Sequence, residues 1–321
     1  MHIDRAPLNQ RSWVCQERFL SPFVLHFARR YLFYECPEEI TSETHPDGLP
    51  GQIQSWVAFE NVHSLKRAIV ELKHSSPASH PPLRRLSNLY WHWCHFRILF
   101  TSLQLTQESD IFVALHGIAQ EIGDRMQGEL VAGMWKRRTI EGLCWTVRRT
   151  RKGPARPAKW RAPSWSWAAT LQTIYGNYSG HGSGVHHDMR EMLDVRIETD
   201  AVGDMVRGVL TLKCRLIALE SWDDLTATES ASYKRPGYFS GMFKTRFDEL
   251  DTACSEYSAY LVSLRQHHSR NAEDYGKVEG LIITPSNDQP DCYVRIGYFF
   301  AQDVSLRKTF NAQTGCVIEI T

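Results

Sequence analysis

The stretch LNQRSWVCQERFLS, residues 8–21, places Trp13, Gln16, Glu17 and Leu20 within one prospective helix. Asn9 offers a capping side chain at its start. Pro22 ends it, because proline drives its predecessor out of helical geometry. Two runs rich in β-branched and aromatic residues follow, VLHF (24–27) and YLFYEC (31–36), with Ala-Arg-Arg between them. They predict a hairpin. Helix followed by hairpin sets the expectation of an α+β chain, and the polar groups beside Trp13 raise the question of a reaction site.

Working outward, 321 residues allow about two domains. Hydrophobic residues at 42% and charged residues at 23% suit a globular protein with a substantial core. A net charge of +1 argues against a whole-protein electrostatic fit to nucleic acid or to an anionic membrane. The eight cysteines are scattered with no Cys-x-x-Cys pair, and no secretory signal layout precedes them. Both features read as reduced core cysteines of a cytoplasmic protein. No run approaches the roughly 20 apolar residues of a membrane helix.

Residues 37–55 read as a surface loop and HSSPASHPPL (74–83) as a linker, so 37–88 is expected to be a loop and linker region. LYWHWCHFRILFTSL (89–103) is apolar nearly all round and predicts a buried helix. LTQESDIFVALHGIAQEIGDRM (105–126) predicts a second, capped by Thr106, with Ile111, Leu115, Ile118, Ile122 and Met126 on one face. VAGMWKRRTIEGLCWTV (131–147) predicts a third. After PSWSWAAT (163–170) the pattern changes to short strands. An antiparallel sheet, sandwich or barrel is expected from about residue 190 onward, broken by a long connection at 222–257. The expected segments are therefore 1–36, 37–88, 89–170 and 171–321.

Several of these blocks together resemble one family, the fungal proteins with a heterokaryon-incompatibility (HET) domain. PLNQRSWVCQERFLSPFVLHF (7–27) resembles the last characteristic block of that domain, with Arg11, Trp13, Gln16 and Glu17 at matching positions. YLFYEC is similar to its aromatic-Glu-Cys strand. VAGMWKRRTIEGLCW resembles its Ala-Gly-x-Trp helix, and Pro163, Trp165 and Trp167 fall in its Pro-Ser-Trp-Ser-Trp-Ala block. The family's opening Ser-Tyr-x-Trp-Gly and Trp-x-Asp-x-x-Cys-Ile-Asn-Gln blocks do not occur. The resemblance thus implies that 1–36 is the C-terminal remnant of a TIR-like HET domain, followed by a helical middle and a β-rich portion. It implies a role in fungal non-self recognition and programmed cell death, with another HET-family or signalling protein as partner. Because the sheet that would enclose a dinucleotide is missing, a non-catalytic regulatory form without a cofactor is expected. The alternative is residual TIR-like NAD hydrolysis completed by a second chain. Glu17 is then the candidate carboxylate, which could steady a cationic ribosyl transition state. The bland reading has Arg11 and Glu17 in polar contacts with neighbouring loops and Trp13 packed in the core.

Four other motifs bear on possible chemistry. HGSGVHH (181–187) lacks the spacing of a metal site, and Trp91 to His95 point in different directions around a helix, so no metal is expected. Arg148, Arg149, Arg151, Lys152, Arg156, Lys159 and Arg161 form a basic segment that could contact phosphates. With one aromatic and no DNA-binding motif, it reads instead as a solvated loop. Trp165 and Trp167 alternate, so an extended backbone would set both on one side as buried anchors.

Overall fold

The computed structural model describes residues 3, 6–50, 62–73, 83–126, 128–148, 153–176, 185–186, 191–219, 242–248, 258–267 and 277–321. The chain divides into two compact units, Met1–Leu130 and Val131–Thr321. The class is α+β, and no helix among the described residues is long and apolar enough to cross a membrane.

The first unit runs from a 3-10 turn, Leu8–Gln10, into α1 (Ser12–Leu20), β1 (Val24–Phe27), β2 (Leu32–Glu35) and β3 (Ile40–Ser42). It continues through α2 (Val62–Lys73), α3 (Leu83–Ser102) and α4 (Val113–Met126). The expected first helix and hairpin are present, with one correction. Arg11, in extended geometry, stands at the cap of α1. Asn9 lies inside the preceding turn, and its Nδ2 donates to the Ile3 carbonyl at 2.8 Å. Ser21 closes the helix as its C-cap, its N–H on the Glu17 carbonyl. Val14, Cys15 and Phe19 are buried on α1, whereas Trp13 is only half-buried.

The region 37–88 is also corrected. It contributes the buried strand β3, the helix α2 and the start of α3. The linker residues 74–82 lie outside the described residues. β3 pairs antiparallel with β2 to give the order β1-β2-β3, which leaves β1 at one edge. α1 packs against α2 and α4, and α2 packs against α3. All five residues named for the face of α4 are buried. Thr106 does not cap it, because a 3-10 turn at Glu108–Ile111 comes first and carries no side-chain cap.

At the boundary between the units lies a two-residue hairpin, β4 (Leu130–Val131) with β5 (Met134–Trp135). It falls where the sequence predicts a third helix. Ala132 and Gly133 adopt positive φ there, 46° and 80°, which an α-helix does not allow. A 3-10 turn (Lys136–Arg138) and the short α5 (Thr139–Gly142) remain helical before β6 (Trp145–Arg148) and its antiparallel partner β7 (Thr173–Gly176). The rest is the expected β-rich portion, built from β8 (Val185–His186), β9 (Glu191–Thr199), β10 (Met205–Cys214), β11 (Leu216–Ala218), β12 (Met242–Phe247), β13 (Tyr260–His267), β14 (Lys277–Pro285), β15 (Cys292–Gln302) and β16 (Cys316–Ile320). Their main path is β11-β13-β14-β15-β16-β10-β9, with β12 on β15 and β8 on β13.

This sheet is mixed rather than wholly antiparallel, because β15 and β16 pair in parallel. Parallel neighbours need a crossover. It is supplied by α6 (Val304–Ala312), capped by the Asp303 carboxylate on the Leu306 N–H at 2.9 Å. Leu306 and Phe310 of α6 bury against Val278, Ile282 and Phe299 of the sheet. β12 lies within the expected long connection at 222–257.

Candidate functional site

The opening stretch contributes one wall of a groove of about 400 Å³. Leu8, Asn9, Val14, Glu17, Arg18 and Ser21 stand on that wall, and residues 24–27 of β1 with Ala28 and Phe33 form the other. The groove therefore runs along β1. At its polar end, Arg18 Nε and His26 Nε2 each lie 2.8 Å from the same oxygen of Glu35, Oε2. Glu35 and Arg18 are buried. Burial alone would raise the Glu35 pKa. The hydrogen bond from His26, the Arg18 charge and the remaining contacts with both partners outweigh it and lower the value to about 2. Glu35 is thus a fixed anion that cannot serve as a general acid near neutral pH.

Lys66 of α2 donates to the Arg18 carbonyl at 3.3 Å and to the Ser21 carbonyl. A cation on the last carbonyls of α1 opposes the negative end of the helix dipole. These contacts draw α1, the hairpin and α2 together around Glu35. Glu35, Arg18 and His26 belong to no motif that marks them as site residues in the sequence. The signal was available: a charged residue in an otherwise apolar strand requires a partner.

Glu17, the candidate carboxylate, is exposed at the groove wall, and its carbonyl accepts from Ser21 Oγ at 2.7 Å. Arg11 is exposed, and Gln16 lies over Gly117 of α4. The four motif residues are therefore not gathered around one reacting centre.

A second cavity of about 270 Å³ opens in the same unit, lined by Glu38, Glu39, His63, Arg67, Glu71, Asn88 and His92 among others. Burial lowers the pKa of both imidazoles, that of His92 to about 4. They present neutral rings near neutral pH, and His63 Nε2 meets the Cys36 carbonyl at 2.9 Å. Among the described residues no group of three or more His, Cys, Asp or Glu could hold a metal ion. In HGSGVHH, the backbone of 185–186 forms β8, and the other residues lie outside those described.

In the second unit Pro163, Trp165 and Trp167 have structural work. Pro163 packs on Gly208 of β10, and Trp165 Nε1 donates to the Gly208 carbonyl at 3.4 Å. Trp167 Nε1 donates to the Gly133 carbonyl at 2.7 Å. Both tryptophans are buried as expected, but Trp165 sits on a turn and Trp167 opens a 3-10 helix, rather than both lying on an extended strand. The buried Cys144 sits beside Arg265, Glu279 and Tyr298, and burial pushes its thiol up to about 12, so it is no nucleophile.

The basic segment is corrected in part. Arg161 donates to the Ala168 and Thr170 carbonyls at 2.7 and 2.9 Å, and Arg156 donates to the Arg295 carbonyl at 3.3 Å. Arg148 lies over the Tyr175 ring at 5.3 Å. These three tie the loop to its own unit, while Arg149, Arg151 and Lys152 lie outside the described residues. The missed centre of the unit is Arg295, fully buried in β15. It donates to Asp248 at 3.0 Å and to the Leu143 and Trp145 carbonyls at 2.8 and 2.5 Å.

Fold and sites together define a two-unit α+β protein with a buried ion cluster and an open groove in its first unit. No family model, curated protein or solved structure matches the chain.

Proposed function

We propose that this chain is a HET-family protein of fungal non-self recognition and the cell-death response that follows hyphal fusion. In this reading it is a regulatory rather than catalytic component. The observation that carries it is the Arg18–Glu35 pair: it ties the two N-terminal blocks that bear the resemblance to one another. Glu17 standing exposed on an open groove favours binding over turnover. Residual NAD hydrolysis with a second chain is the weaker alternative. The test has two arms. Introduced into one of two compatible fungal strains, the chain should alter the fate of fused cells, and the Arg18→Ala form should not; identical fates would sink the proposal. The purified chain should release no nicotinamide from NAD, and turnover lost in Glu17→Ala would overturn the non-catalytic part.

A further inference from the structure

We propose that the free edge of β1 is a self-association surface, on which β1 of a second copy of this chain adds antiparallel about a twofold axis. The inference stands apart from the HET reading. β1 has β2 on one side and no strand on the other among the described residues. Edge strands are normally blunted with charge. β9, the outer strand of the large sheet, carries Glu191, Asp194, Arg196 and Glu198. β1, Val-Leu-His-Phe, has no acidic residue, lysine or arginine, and His26 is engaged with Glu35.

In place of charge the surface is apolar. Phe27 is 85% exposed, Leu8 61%, Phe23 60%, Leu25 51% and Tyr34 39%. Leu8, Leu25 and Phe27 line one groove, Tyr34 is the cross-strand partner of Leu25, and Phe23 stacks on Tyr34 at 6.2 Å. The five form one patch. Full side chains of this size offer about 150–250 Å² each, so the exposed area is roughly 600 Å². That is at the upper end for a monomer surface. Doubled, it reaches the lower end of stable interfaces, about 1,200 Å².

Charge selects the direction of pairing. β1 is followed by the exposed Arg29 and Arg30, and it begins just after α1, where Glu17 stands exposed on the groove wall. Antiparallel pairing sets the basic end of each copy beside the Glu17 end of the other. Parallel pairing would set arginine against arginine. A twofold contact also consumes both free edges and closes at the dimer.

Sedimentation equilibrium of the full chain over about 1–200 µM tests this. The expected result is a rise from the mass of one chain to that of two, with a midpoint in the micromolar range. Phe27→Lys should weaken association at least tenfold. Arg29→Glu with Arg30→Glu should do the same, and adding Glu17→Arg should restore it. A chain that stays monomeric throughout overturns the proposal. So does a dimer indifferent to Phe27→Lys and to the charge exchange.

Discussion

Arg18 and Glu35, 17 residues apart in the chain, meet at 2.8 Å with both side chains buried, and His26 meets the same carboxylate oxygen at 2.8 Å. Removing one partner from such a pair leaves the other charged and desolvated. Glu35→Gln should therefore destabilise the first unit by about 3–5 kcal/mol. The double variant Arg18→Met/Glu35→Leu should cost less than the two single changes together, by about 1–3 kcal/mol. Hydrogen exchange of α1 and β2 reports this locally, which suits a chain whose two units need not unfold together. Additive costs would mean the pair is not coupled.

Acid should weaken the first unit in two steps. His92 is held at about 4, below its ordinary 6.5, by burial. Between those values the unfolded chain takes up a proton that the folded one refuses, so stability falls as pH drops through that window. Glu35, lowered from 4.5 to about 2, adds a second loss between those values, on the order of 3 kcal/mol. Denaturation followed against pH should show both steps. His92→Gln should flatten the first and leave the second.

In the second unit, Arg295 uses its guanidinium in three directions and also lies 3.4 Å over the Trp145 ring. Lysine keeps the charge but not the planar fork. Arg295→Lys should cost about 1–3 kcal/mol, because the Leu143 and Trp145 carbonyls lose their buried donors. A denaturant titration read by tryptophan fluorescence should show the earlier midpoint, and an unchanged one would count against Arg295 as the centre of this unit.

Gly133 combines φ 80° with a position where an added Cβ would lie 2.8 Å from the Trp167 ring. Gly133→Ala should displace Trp167 and cost more than the roughly 1 kcal/mol of an ordinary strained alanine. Trp167→Phe, which removes the donor to the Gly133 carbonyl, should cost about 1–3 kcal/mol. Thermal unfolding of the two variants measures both.

Much of the fold could be read locally. Ile111, Leu115, Ile118, Ile122 and Met126 repeat at helical spacing and are buried on α4 or the turn before it. VLHF and YLFYEC pair as a hairpin, and the β-rich runs after residue 190 are strands, because spacing and β-branching act over a few residues. The site was less legible. Glu35 falls in a predicted strand and Arg18 in a predicted helix, but nothing in their spacing says that they touch.

What the sequence by itself determined is the α+β class, the hairpin, the helices α1, α3 and α4, and the burial of Trp165 and Trp167. Tertiary structure decided the rest. The segment 131–147 abandons its helical period because Gly133 must wrap the Trp167 indole. β16 lies parallel to β15 because α6 carries the chain across. Glu35 is an anion rather than a neutral acid because Arg18 and His26 reach it from elsewhere in the chain. Such contacts depend on distance in space, which a local pattern does not encode.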